Sequence, residues 1–380
     1  EKGMVLLKND RGVLPLDKAT VKRLAVLGQL ADADNTGDHG SSKVVPPRHT
    51  SALQGLRDYL GSGARVVHAD GADLAEAGRI AKEADAVVVV AGARWDEVGE
   101  YVSDEKWMRP SGPAEKGPLR VRLPFLHAIE ISGGDYVPLA LKARDVSVIQ
   151  AACQANPRCV VALVGGSVYT MEEWRDKAPS ILMAWYFGME GGHALARVLF
   201  GDVNPSGKMP LTTPKDESQL PPFDEFADTI EYGPYHGYTL LDRNGQEPAF
   251  PFGHGLSYTT YTYSNVTVRT PRVLTDGTVE VAVDVTNTGP RGGEEVVQLY
   301  VGFAGSKIER PAKLLRGFAK VVLAPGETKT VPLRVQVKDL GWYDVATKSW
   351  RVEPMTYEIL VGPSSRRPDL LVGSVEVTER

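Results

Sequence analysis

Short apolar runs alternate with amphipathic stretches through the first half of the chain. RLAVLG (23–28), ARVVHA (64–69), AVVVVAG (86–92), CVVALVGG (159–166) and SILMAW (180–185) are continuous and mostly β-branched or aliphatic. SALQGLRDYLG, DLAEAGRIAKEAD and DVSVIQAACQANPR lie between them and carry apolar residues at helical spacing. Strands apolar on both sides, alternating with helices, predict a mostly parallel sheet flanked by helices, an α/β sandwich. Ser51 and Asp73 suit helix N-termini and Gly61 a C-terminus.

From about Tyr263 the period changes to two. TVEVAVDVTNTG, GGEEVVQLYVGF, KLLRGFAKVVLAPGETKTVPLRV and TYEILVG alternate apolar and polar residues between turn signals. That pattern predicts an antiparallel all-β sandwich of about a hundred residues. The stretch from about 202 to 250 has no clear period and reads as a packed, irregular connection. The expected organisation is a linker over 1–22, an α/β sandwich over 23–250, a second linker over 251–262 and the all-β domain over 263–380.

Composition narrows the function classes. At 380 residues the chain exceeds one ordinary core, in keeping with two domains. A net charge of −5 without a Lys/Arg run argues against a nucleic-acid partner. No apolar run approaches the roughly 20 residues that span a bilayer, which argues against membrane insertion. Cys153 and Cys159 are too few for a disulfide framework or a structural zinc site and read as small buried apolar residues. No GxGxxG follows the first strand and no GxxxxGK[ST] occurs, so nucleotide binding lacks its phosphate loops. The glycines of GMEGGHALA (188–196) read as close backbone packing ahead of a helix. No His/Asp/Glu cluster has metal spacing.

In an open α/β sheet, ligands bind beyond the carboxyl ends of the strands. Two connections there are far longer than the usual two to six residues. One, GQLADADNTGDHGSSKVVPPRHT, follows the first predicted strand; the other runs from Ala93 to about Ser132 after the third. The second contains WDEVGEYVSDE, five carboxylates in eleven residues. From composition alone these read as solvated surface as readily as catalytic acids.

Four stretches taken together resemble one family. GMVLLKNDRGVLPLD, WYFGMEGGHALARVLFGDVNPSGKMPLTTP, YHGYTLLDRNGQEPAFPFGHGLSYTTYTYS and VDVTNTGPRGGEEVVQLYVG with RPAKLLRGFAKVVLAPGET are similar, in order, to the C-terminal half of family 3 glycoside hydrolases of the β-glucosidase and β-xylosidase type. The resemblance implies an α/β sandwich followed by a fibronectin type III-like domain. It also implies a preceding (β/α)8 barrel that carries the nucleophilic Asp in a Ser-Asp-Trp context. The sequence contains no Ser-Asp-Trp and begins with Glu1, so a C-terminal fragment, or one chain of a nicked enzyme, is expected.

In that family the general acid/base sits on a sandwich loop, often as Gly-Glu followed by Tyr. Gly99-Glu100-Tyr101 matches, which makes Glu100 the expected acid/base, with Glu97 second. Trp95 and Tyr101 are candidates to face sugar rings, and Ser41 and Ser42 to contact substrate or the barrel. Asp96, Asp104 and Glu105 are expected at the surface. Where the family commonly has Gly-Gly-Asp-Arg, this chain has Tyr136 after Asp135, and the intervening insertion departs from the pattern. The function implied is a retaining, exo-acting β-glycosidase acting on β-linked oligosaccharides or aryl and alkyl β-glucosides. It needs no metal or organic cofactor, a homodimer is compatible with it, and β-xylosides are the alternative substrate. The competing reading is a non-catalytic carbohydrate-binding or scaffold module.

Overall fold

The computed structural model describes residues 1–37, 44–94, 120–121, 129–130, 139–222 and 229–379. The chain divides into two compact units: Glu1 with Lys8–Val203, and Lys2–Leu7 with Asn204–Arg380. Strand β1 is Val5–Asn9, inside the segment read from sequence as linker.

In the first unit, strands β2 (Arg23–Leu27), β3 (Arg65–Ala69), β4 (Ala86–Gly92), β5 (Cys159–Val164) and β6 (Ser180–Met183) pair in parallel in the order β6-β5-β4-β2-β3. Every residue of β4, β5 and β6 is buried, which requires cover on both faces of the sheet. Helices α1 (Ala52–Leu60), α2 (Leu74–Glu83), α3 (Ala143–Ala155) and α4 (Gly191–Leu199) supply it, α1 packing on α4 and α2 on α3. The predicted caps are in place. The Ser51 side chain accepts Gln54 N–H, and Asp73 accepts the N–H groups of Ala75 and Glu76. Gly192 serves close packing: a Cβ there would lie 1.9 Å from the carbonyl oxygen of Ser51.

The two cysteines depart from the sequence reading. Cys153, near the end of α3, and Cys159, opening β5, form a disulfide with Cα atoms 5.1 Å apart. Both are buried, as apolar residues would be, but the short αβ loop brings their side chains together.

In the second unit, α5 (Tyr238–Asn244) breaks the irregular stretch. Strands β7 (Tyr261–Val268), β8 (Arg272–Leu274), β9 (Thr278–Asn287), β10 (Gly293–Gly302), β11 (Lys313–Leu323) and β12 (Thr328–Gln336) follow. A small hairpin, β13 (Trp342–Asp344) and β14 (Ser349–Arg351), precedes β15 (Thr356–Gly362) and β16 (Leu371–Thr378). They form sheets ordered β8-β16-β15-β10-β11 and β12-β9-β7, antiparallel except where β8 runs parallel to β16. Val279, Val281, Val283 and Val285 of β9 meet Val297, Leu299 and Val301 of β10 and Tyr357, Ile359 and Val361 of β15 in one core. The period of two read from the sequence is this inward face. Leu6 of β1 bridges Leu256 antiparallel in the same unit.

Among the described residues no helix is long and apolar enough to cross a membrane.

The cystine closes a loop between residues six apart, for which the chain-entropy estimate is about 2 kcal/mol. Thiol titration of the unreduced, unfolded chain should detect no free cysteine. Reduction should lower urea-unfolding stability by about that amount; two titratable thiols without reductant would contradict the bridge.

Candidate functional site

Read in chain order from β2, the five parallel strands are arranged 2-1-3-4-5. In this arrangement the winding direction reverses between β2 and β4, and the crevice at that reversal is where such sheets bind ligands. Both long connections leave from these two neighbouring strands, one after Leu27 and the other after Gly92. The exits are tight. A Cβ on Gly28 would lie 2.3 Å from Val90 O, and one on Gly92 would lie 1.9 Å from Val164 O, with φ of +104° and +142°. Only glycine combines that backbone with that space.

Each connection is fastened at both roots to the segment that follows another strand of the sheet. The Ala93 N–H donates to the Tyr169 hydroxyl at 2.9 Å, and that hydroxyl donates to Val164 O at 2.7 Å. Tyr169 is 2% exposed, so both bonds are made away from solvent. At the far root, the Thr170 N–H donates to Leu139 O at 2.8 Å, and Ala140 bridges Thr170. Adjacent residues after β5 therefore hold the two ends of the connection that carries the acidic stretch.

The first connection is held in the same manner by the segment after β6. Phe187 N–H donates to Asn35 O at 2.8 Å, Thr50 N–H to Met189 O at 2.9 Å, and Gly192 N–H to Thr50 O at 3.0 Å. Trp185, in this segment, has a φ of +63°, an uncommon conformation for a bulky residue and one found where the surrounding structure imposes it. Trp185, Tyr186 and Phe187 are half-buried beyond the carboxyl end of β6.

A charge cluster stands beside the trailing root. Arg48 pairs with Glu190 at 2.6 Å, and His193 lies 2.8 Å from Glu190 and 3.0 Å from Asp58 through its two ring nitrogens. Hydrogen bonds to Asp58 and then Glu190 raise the pKa of His193, outweighing a desolvation that lowers it. Glu190 is held below the usual carboxylate value by His193 and Arg48.

The side chains singled out from sequence, Glu100, Glu97, Trp95, Tyr101, Ser41 and Ser42, lie outside the described residues, as does Asp135. His49 is described and exposed. Among the described residues no group of three or more His, Cys, Asp or Glu could hold a metal ion. Sequence reasoning missed Tyr169, whose only local signal is its place five residues past the end of a buried strand. It also missed the Asp58–His193–Glu190–Arg48 cluster, whose members are far apart in the chain.

Comparison with known proteins gives two domain matches. Residues 4–258 match the glycosyl hydrolase family 3 C-terminal domain, and residues 295–365 match a fibronectin type III-like domain. A β-xylosidase of Formosa agariphila is 34% identical over 99% of this chain and 49% of its own length. Thermostable β-glucosidase B of Acetivibrio thermocellus is 35% identical over 96% of this chain and 45% of its own length. Among solved structures, the β-D-glucoside glucohydrolase of Trichoderma reesei superposes with a TM-score of 0.84 at 26% identity, covering 99% of this chain and 54% of that one. The family 3 β-glucosidase of Bifidobacterium adolescentis does so with a TM-score of 0.80 at 31% identity, covering 98% and 51%. The chain spans about half the length of the relatives it matches.

Two outcomes test the site's framework. Tyr169→Phe removes both hydroxyl bonds and leaves Ala93 N–H and Val164 O with only their mutual 3.2 Å bond in a buried place. It should cost about 1–3 kcal/mol in urea unfolding; an unchanged midpoint would remove Tyr169 from its role as a fastening. For His193 the folded pKa lies above the unfolded 6.5, so its contribution is fully present below pH 6.5 and is lost as pH rises through the folded value. With a side chain 42% exposed, the contribution is about 0.5 kcal/mol after solvent screening. His193→Gln should abolish that share of the stability difference between pH 6 and pH 9, read as the wild-type minus variant denaturant midpoints.

Proposed function

The chain belongs to glycosyl hydrolase family 3, and on that footing we propose that it is the C-terminal part of a retaining, exo-acting β-glycosidase that releases non-reducing-end glucose from β-linked oligosaccharides or aryl and alkyl β-glucosides. The observation that carries the proposal is positional. The connection bearing Glu97 and Glu100 is rooted at the reversal point of the sheet, and both roots are fastened to the rigid segment Tyr169–Thr170. A catalytic group on a loop needs roots of this kind, because small displacements of the reacting groups cost large factors in rate.

In this reading Glu100 protonates the leaving oxygen and then deprotonates the attacking water. A carboxylate outside these 380 residues attacks the anomeric carbon. The two carboxyl groups of a retaining enzyme stand about 5–5.5 Å apart, so the loop must reach a nucleophile presented by another domain, the (β/α)8 barrel that the family resemblance implies. Trp95 and Tyr101 would offer aromatic faces to a pyranose, and Ser41 and Ser42 would contact the sugar or that neighbouring domain. Without the nucleophile there is no covalent intermediate, and the isolated chain should hydrolyse nothing. A relative that is a β-xylosidase keeps β-xylosides as the alternative substrate.

In the complete enzyme, Glu100→Gln should lower kcat by about 10²–10⁴ on glycosides with poor leaving groups. Activated aryl glycosides, which need no proton, should be slowed far less at the first step, and azide should restore turnover by replacing the base-assisted water. Equal loss on both substrates without azide rescue would shift the assignment to Glu97. Full activity in Glu100→Gln and in Glu97→Gln would leave the chain as a non-catalytic module.

A further inference from the structure

In the second unit one strand inverts the expected polarity. On β11, Lys313 is 3% exposed while Phe318 is 69% exposed. Nearby, Trp350 on β14 is 73% exposed. Single exposed apolar residues are ordinary, but two large aromatic rings lining the same concavity are not. Phe318 and Trp350 line a groove of about 840 Å³, with Arg316, Lys338 and Asp339 among its other lining residues. Its volume falls within the range of about 300–1,000 Å³ typical of small-ligand sites.

The groove is built firmly. Trp350 lies directly across the hairpin from Tyr343, the two rings meeting edge to face with centroids 5.7 Å apart. The hairpin turn is tied by Asp344, which accepts the Ala346 N–H at 3.0 Å and the Thr347 hydroxyl at 2.7 Å and pairs with Arg351 at 3.2 Å. At the hairpin root a Cβ on Gly341 would lie 3.0 Å from Lys338 O, so the strand sits close against that wall. Arg316 lines the same wall, its Nη1 donating to the Leu315 carbonyl oxygen at 3.3 Å.

We propose that this groove binds a neutral pyranose chain, with Trp350 and Phe318 stacking on the apolar C–H faces of the sugars and Arg316 and Asp339 hydrogen-bonding their hydroxyls. The chemistry selects this class over a polyanion, which would favour a cationic groove, whereas Asp339 stands among the two cations here. Two aromatic rings beside hydrogen-bonding side chains suit the apolar faces and hydroxyl rims of a glycan. The class of ligand follows from the groove alone; the choice of a β-glucan as the first probe rests on the proposed activity.

The test is affinity electrophoresis of the 380-residue chain in native gels cast with soluble mixed-linkage β-glucan or with soluble starch. Retardation by β-glucan is expected. Trp350→Ala should weaken binding at least tenfold, Phe318→Ala and Asp339→Asn less, with the fold of each variant checked by its melting temperature. Retardation in starch but not β-glucan, lost with Trp350→Ala, would uphold the groove while counting against the proposed substrate class. Failure of both polysaccharides to retard the wild-type chain, or equal retardation of wild type and the Trp350→Ala/Phe318→Ala double variant, would overturn the proposal. Concentration-dependent self-association abolished by Trp350→Ala, with no retardation, would overturn it in favour of an interface between copies. Because no bond is broken in this assay, its failure is distinct from a failure of the Glu100 assignment.

Discussion

The fastening of loop roots to the segments that follow other strands of the sheet is the constraint on which the rest of the first unit depends. Closing a long loop costs only slowly more as the loop lengthens, so length does not endanger the fold. What a long loop lacks is a defined direction, and direction is set where it leaves the sheet. Here the Tyr169 hydroxyl bonds the backbone of two adjacent exits at once, and the next residue holds the returning end. A backbone-only arrangement would leave Ala93 N–H with Val164 O at 3.2 Å, a weaker bond than the one the phenol adds. The segment after β6 repeats the device through Phe187, Met189 and Gly192. Fixed exits and fixed returns at the reversal point give both connections a definite frame.

Much of this framework is legible in the sequence because it depends on burial. AVVVVAG reads as a strand and is buried at all seven positions. Ser51 and Asp73 read as caps because their short oxygen side chains satisfy helix N–H groups locally, and they do. What escapes is non-local. Tyr169 reaches a backbone group 76 residues away, and His193 reaches Asp58 135 residues away, so no window of sequence contains either relation. The disulfide escaped for a different reason. Two cysteines six apart suit a buried apolar reading and a bridge equally, and only the turn between α3 and β5 decides. The catalytic assignment stands on the family register of Gly99-Glu100-Tyr101, to which the described structure adds where that loop is rooted.

The second unit uses the same sequence grammar with a period of two, and its exceptions follow the cost of burying charge. Lys313 is inside because Asp242 meets it at 2.5 Å. Lys208 and Glu295 are inside as a pair 3.0 Å apart, with the Tyr263 hydroxyl donating to the same carboxylate at 2.7 Å. Burial and that neighbouring charge push the Tyr263 phenol well above its ordinary pKa, which keeps it a donor. Breaking such a pair by removing one partner costs far more than the pair itself contributes, so each inward charge constrains its neighbours.

Outward aromatics have no such internal partner to explain them. An inward lysine on β11 is accounted for by the acid it meets, but Phe318 five positions on gains nothing from facing water. The unfavourable exposure of Phe318 and Trp350 is tolerable only because the interior strands of this unit already bury an uninterrupted valine-rich core. Stability is supplied by that core, which leaves the edge strand and the small hairpin free to carry surface chemistry. The tight turn around Asp344 then becomes intelligible: a hairpin that buries little needs local hydrogen bonds to hold Trp350 against Tyr343 in a defined orientation.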